Sequence, residues 1–161
     1  VFLILNFAFE PAKIYKQLAA EMRPFQEILT YKIDGTEHKG KLRILIRDKA
    51  ALERINNVKP SFLGLVGTLS DVDKNVDSER MPLIDLNLSE LTNWKGTGNI
   101  PFEDFVKIKD TVAKIHAQKK KVCLSNCPIN KTVADLIQTS GVDYIVTNDP
   151  IKMSAFFGQK K

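Results

Sequence analysis

Six short, almost uninterrupted apolar runs separated by amphipathic stretches constrain this chain more than any other feature. They are Phe2 to Phe7, Leu42 to Ile46, Phe62 to Val66, Leu83 to Leu86, Val122 to Leu124 and Tyr144 to Val146. A strand with one wet face alternates apolar and polar side chains, whereas a continuously apolar run suits a strand covered on both faces. Alternation of such runs with helical patterns is the rhythm of βα units. The fold class expected is therefore α/β, with about six parallel strands. Gly141 to Pro150 reads as the closing strand of a β/α barrel, tipped by Thr147, Asn148 and Asp149.

The helical patterns between the runs carry their own start and stop signals. Pro11 opens the first, with Ile14, Leu18 and Met22 recurring on one face. A longer helix is expected from about Pro101 to Gln118. Glu103 and Asp104 suit its positive N-terminal dipole, and Phe105, Ile108, Val112 and Ile115 form its stripe. A third starts near Asn130, turns Val133, Leu136 and Ile137 inward, and ends at Gly141. The last runs from Pro150 through Phe157. Two segments interrupt this rhythm. Thr30 to Lys41 contains Asp34-Gly35, a hairpin signal, and predicts a small β-excursion. Ser70 to Arg80 is polar and Asp-rich, and reads as a surface loop. Asn93 to Asn99 is a Gly-containing loop around Trp94, the only tryptophan.

At 161 residues the chain has the size of one domain, spanning 1–161, and can bury roughly 70% of its unfolded surface. Its net charge of +5 is modest. The densest basic run, Lys119-Lys120-Lys121, sits between a helix and a strand and reads as a solvated helix end. No stripe of Arg with interleaved aromatics is present, which argues against a nucleic-acid partner. The opening run Val1 to Leu5 is too short to span a membrane and lacks the flanks of a signal peptide. It looks like a buried strand at which the chain has been cut. Cys123 and Cys127 make neither a disulfide framework nor a zinc site.

In parallel β/α folds ligands bind at the carboxyl ends of the strands. Those ends deliver Asn6 and Glu10, then Arg47 and Asp48, Thr68 and Ser70, Asp85 and Asn87, Ser125 to Cys127, and Thr147 to Asp149. From these, Arg47, Asp85, Asn87, Ser125 and Asn148 are the candidate substrate-binding residues. Arg47 suits a phosphate through charge-assisted hydrogen bonds, or an ion pair with Asp48 or Glu10. Asp85 and Asp149 suit oxygen ligation of Ca²⁺ or Mg²⁺, or loop capping through Asx turns. Trp94 is either a stacking lid or a packing anchor. His38 falls in the hairpin and His116 late on a helix, so both read as structural or solvated, and Cys127 has no histidine partner in sequence. No catalytic residue is assigned.

Several segments, taken in order, resemble a known superfamily. Ile100 to Lys109, Ala113 to Ala117 and Lys121-Val122 are similar to the penultimate βα unit of the phosphatidylinositol-specific phospholipase C-like and glycerophosphodiester phosphodiesterase barrels. Gly141 to Pro150 resembles their final strand. Met81 to Ile84, Leu69 to Asp73 and the Trp94-Lys95-Gly96 loop look like the bacterial phospholipase-like branch. The resemblance implies a partial TIM-type β/α barrel, with this chain supplying family strands three to eight. It also implies a parent phosphoric diester hydrolase of lipid metabolism, acting on glycerophospho- or phosphoinositide-type esters. Two catalytic histidines upstream of this chain would do the proton transfer, helped by Ca²⁺ or Mg²⁺, and a periplasmic or secreted location would follow. This chain alone is expected to be inactive.

Where that family ends its third strand with an acid, one residue and a lysine, this chain has Asn6 and Ala8. An aromatic residue common after the family's penultimate strand is replaced by Ser125. These departures favour the alternative of a non-catalytic barrel binding a phosphorylated or sugar ligand, or a partner protein. An unrelated β/α hydrolase with similar last strands is a third reading. An open six-stranded sheet would leave two edges that invite self-association.

Overall fold

A computed structural model describes residues 1–7, 9–55 and 61–157. Within them the chain is an α/β fold with six parallel strands and one small antiparallel hairpin, as the alternation predicts. Ala8 lies outside the described residues. Two structural units follow one another, residues 1–66 and the chain from residue 67 onward.

In the first unit, β1 (Phe2–Leu5) pairs in parallel with β4 (Arg43–Ile46), and β4 pairs with β5 (Leu63–Gly67). Between β1 and β4 come α1 (Pro11–Met22), a 3-10 segment (Arg23–Ile28), and the hairpin of β2 (Tyr31–Ile33) and β3 (Thr36–His38). Asp34 and Gly35 both take positive φ, 48° and 86°, which is what a two-residue hairpin turn of this hand requires. The apolar face of α1 is rotated by one residue from the sequence expectation. Tyr15 is fully buried, whereas Ile14 is 38% exposed. The reason is a specific partner: the Tyr15 ring packs 4.9 Å from that of Phe62, and the Phe62 amide donates to its hydroxyl at 3.3 Å. Leu18 and Met22 pack against this cluster, as expected. A further helix, α2 (Lys49–Ile55), joins β4 to β5 and buries Ala51, Leu52 and Ile55. Seven residues are too few to display a stripe, so periodicity does not announce it.

The second unit carries the parallel strands β6 (Leu83–Asn87), β7 (Lys121–Ser125) and β8 (Tyr144–Ile145). Its helices are the short α3 (Leu88–Leu91), then α4 (Phe102–Ala117), α5 (Lys131–Ser140) and α6 (Pro150–Phe157). Helix α4 buries Ile108, Val112 and Ile115. Asn130 caps α5 by accepting from the Val133 amide at 3.0 Å, and Gly141 ends it at φ 83°.

Two polar segments depart from the expectation of solvation. Within Ser70 to Arg80, Asp71 is fully buried and Val72 nearly so. Asp71 closes a capping box with Thr68, whose amide donates to it at 3.0 Å, and takes the Lys74 ammonium at 3.1 Å. Buried polar groups are tolerated when they are bonded in this way. In the lysine run, Lys119 and Lys121 are exposed, as a solvated helix end would have them, and only Lys120 departs from that expectation. Lys119 adopts φ 59°, and the amides of Lys119 and Lys120 return to the His116 and Ile115 carbonyls, closing a Schellman motif on α4. Lys120, at the position that usually carries an apolar contact, is 2% exposed and donates to Gln118 Oε1 at 2.7 Å. Burial lowers its pKa, partly opposed by Asp71 and Asp77.

Lys121 is drawn into a junction centred on Asp143. That carboxylate accepts from Lys121 Nζ at 2.7 Å and from the Val122 amide at 2.9 Å, and it contacts His116 Nε2 at 2.8 Å. Burial would raise the Asp143 pKa, but the bonds from Lys121, Val122 and His116 outweigh it and hold the carboxyl below its usual range. The junction ties the C-terminal end of α4 and the start of β7 to the residue before β8. His116 is thus structural, as its position on the helix suggested. His38 stacks on Tyr31 at 4.7 Å within the hairpin.

Candidate functional site

The carboxyl ends of β6, β7 and β8 carry most of the expected site residues. Asn87, the last residue of β6, stands opposite Ser125, the last residue of β7. Asn87 also caps α3. Its Oδ1 accepts from the Ser89 amide at 3.1 Å, from Ser89 Oγ at 2.8 Å and from Asn126 Nδ2 at 3.2 Å. One amide oxygen therefore stitches the β6 exit to the β7 exit. Asn126 holds φ 53°, a left-handed conformation that Asn tolerates better than most residues, and so turns the chain sharply at the end of β7. Beyond it, Asn126, Cys127, Pro128, Ile129, Val146, Thr147 and Asn148 line an open depression of ≈ 390 Å³. Asn148 is exposed there, and Thr147 Oγ1 is engaged by the Asp149 amide at 3.2 Å.

Asp85 lies two residues before Asn87, opposite Cys123, and is 8% exposed. Burial pushes the Cys127 thiol up to about 11, and the negative charge of Asp85 adds to the rise. The thiol stays protonated at neutral pH and is a poor nucleophile. Asp149 is used locally, its Oδ1 accepting the Lys152 amide at 2.9 Å at the start of α6. This is the capping alternative for that residue. Among the described residues, no group of three or more His, Cys, Asp or Glu side chains could hold a metal ion. These residues therefore supply no such cluster of their own for the Ca²⁺ or Mg²⁺ that the family resemblance implies.

Four of the five expected binding residues, Asp85, Asn87, Ser125 and Asn148, thus belong to the strand ends of one unit. Arg47 is exposed after β4 in the other unit, where the neighbouring Asp48 accepts the Ala51 amide at 3.1 Å and Glu10 pairs with Lys13 at 3.2 Å. Asn6 is exposed beyond β1. Thr68 and Ser70 are spent on each other and on Asp71. Ser89 and Asn126 are the members that strand-end reasoning underweights. Their signal is the Asn-Leu-Ser cap sequence after β6 and an Asn placed where β7 must turn.

Trp94 is half-buried. Its indole N–H donates to the Thr97 carbonyl at 2.8 Å, inside its own loop. That loop is strapped to the segment beside the depression, with Asn130 Nδ2 donating to the Gly96 carbonyl at 2.9 Å. A Cβ at Gly96 would lie 2.5 Å from Pro128 Cγ, so only glycine permits this approach.

Beside Pro128, Ile129 and Val146, the polar part of the rim is thus made of amides, a hydroxyl and a protonated thiol. Such groups donate and accept hydrogen bonds without exchanging protons at neutral pH. They suit ester oxygens or the hydroxyls of a polyol. Comparison with protein-family models, with curated proteins and with solved structures finds no match to this chain.

Proposed function

We propose that this chain is the C-terminal portion of a phosphodiesterase-like β/α barrel and supplies the neutral, ligand-orienting wall of its site. The ligand class is a glycerophospho- or phosphoinositide-type ester. The observation that carries this reading is the Asn87–Ser89–Asn126 stitch beside an open depression at the strand ends. It holds an amide surface rigidly at the place where parallel β/α folds bind ligands. Proton transfer falls to histidines upstream in the parent, and this chain orients the substrate without performing chemistry.

A second reading is favoured by Asn6, an exposed neutral amide where the resembled family carries an acid. In that reading the barrel binds a phosphorylated or sugar ligand, or a partner protein, and does not cleave.

Titrating the chain with glycerophosphoinositol while following asparagine side-chain amides by NMR tests the wall. Saturable shifts at Asn126 and Asn148, weakened at least tenfold by Asn126→Ala, are expected. Shifts absent from those residues would refute the assignment of the site. Turnover of the ester by this chain above a no-protein control would refute the claim that it does no chemistry. Cleavage by a longer parent containing the upstream histidines separates the enzyme reading from the binding reading.

A further inference from the structure

The first unit holds a second cavity, none of whose lining residues lies at the carboxyl end of a parallel strand. It opens between the 3-10 segment and the hairpin, as a chamber of ≈ 500 Å³ lined by Arg23, Glu27, Tyr31, His38 and Lys39, among others. A small apolar annex shares Arg23 and Tyr31 with this chamber and continues to Ala19, Met22 and Phe62. One cavity system therefore has a charged mouth and an apolar floor.

Two aromatic rings line the chamber. Tyr31 and His38 are cross-strand partners whose rings stack 4.7 Å apart, only 11° from parallel. At the mouth, Lys39 is 80% exposed and the Glu37 carboxylate stands 3.7 Å away. Glu37 is already held by Arg43 at 2.9 Å, so it competes weakly for the Lys39 ammonium. Arg23, the C-cap residue of α1, supplies a second cation, which also suits the helix dipole. Glu27 is the one carboxylate on the lining.

We propose that this cavity binds a small aromatic anion, its ring against the Tyr31–His38 wall and its negative head between Arg23 and Lys39. The arrangement matches the general design of ligand pockets, in which an apolar surface supplies area and a few charged groups set orientation. An aromatic body uses the stacked wall, while a phosphate or carboxylate head uses the two cations. The proposal is independent of the amide rim in the second unit.

The test is an NMR titration of the whole chain with phenyl phosphate and with benzoate, with inorganic phosphate and phenol as arms lacking one half of the ligand. Saturable shifts at Tyr31, His38 and Lys39 are expected with at least one aromatic anion, and whichever binds identifies the head group. Inorganic phosphate and phenol should each bind about tenfold more weakly or worse. Lys39→Glu and Arg23→Gln should each weaken binding about tenfold. Glu27→Gln should tighten it by about threefold, because it removes a like charge from an exposed mouth. All three side chains are on exposed residues, so the variants should fold, and unchanged amide spectra away from the cavity would verify this. No shifts with either aromatic anion, shifts centred on Asn126 and Asn148 instead, or equal binding of inorganic phosphate would overturn the proposal. So would weaker binding by Glu27→Gln.

Discussion

Replacing Asp143 by Ala removes three contacts of unequal worth. Val122 has no solvent exposure, so its amide would lose its acceptor in a place water does not reach. A buried amide left in that state costs about 1–3 kcal/mol. Lys121 is 55% exposed and His116 is 37% exposed, so their pairing with Asp143 is screened and adds only about 0.2–1 kcal/mol. The expected loss for Asp143→Ala is about 2–3 kcal/mol, a fall of about 1 M in the urea midpoint at a slope of about 2 kcal/mol/M. Asp143→Asn keeps an oxygen for the Val122 amide and should lose about 1 kcal/mol or less. Urea unfolding followed by circular dichroism measures both. Equal losses in the two variants, or less than about 0.5 kcal/mol for Ala, would show that the amide contact is not the dominant one. The folded-state pKa of Asp143 is depressed, so its stabilisation is complete above the unfolded carboxyl value near ~3.9. It is lost as pH falls through the lower folded value, and the gap between wild type and Asp143→Asn should therefore narrow only below about pH 4.

Gly40→Ala should destabilise the first unit by about 2 kcal/mol or more, because the new Cβ would lie 2.4 Å from the carbonyl oxygens of both Ile28 and Leu29. Thermal unfolding reads that loss, and a change within ~0.5 kcal/mol would contradict it. Tyr15→Phe should cost about 1–2 kcal/mol by stranding the Phe62 amide, against about 3–5 kcal/mol for Tyr15→Ala, with denaturant titration ranking the two. At pH 7.5 Cys127 should alkylate on the order of a hundredfold more slowly than an unperturbed cysteine, and its rate should climb until pH approaches about 11. Peptide mass spectrometry after timed iodoacetamide quenching gives the rate, and labelling as fast as glutathione would contradict the raised pKa.

The inner parallel strands β4 to β7 were legible because they are largely buried, so their apolar runs declare them without reference to any partner. Strands β1 and β8 are only partly covered, with Leu3 and Tyr144 exposed. The hairpin was legible for a local reason too, since Asp34-Gly35 encodes its own left-handed turn. What escaped the sequence depends on distant partners. Nothing near Tyr15 announces Phe62, so Ile14 looked equally good as the inward residue. Asp71 and Lys120 read as solvent-facing until Thr68, Lys74 and Gln118 are seen to satisfy them. The candidate site divides in the same way. Asn87 and Ser125 follow from where the strands stop, whereas the bond from Asn126 to Asn87 spans 39 residues and becomes visible only once β6 and β7 are paired.

Lys119 shows where this molecule has room to change. Its left-handed backbone closes the Schellman motif after α4, at a position where glycine meets no steric penalty. Glu10 and Asn75 also hold positive φ, and they too sit at the boundary of a helical segment. An L side chain in that conformation costs about 1 kcal/mol relative to glycine. Lys119→Gly should therefore raise the melting temperature by a few degrees without touching the core, as differential scanning calorimetry would register. For an engineer, the unused stability of this fold lies in its junctions, where a single residue can be exchanged without repacking its neighbours.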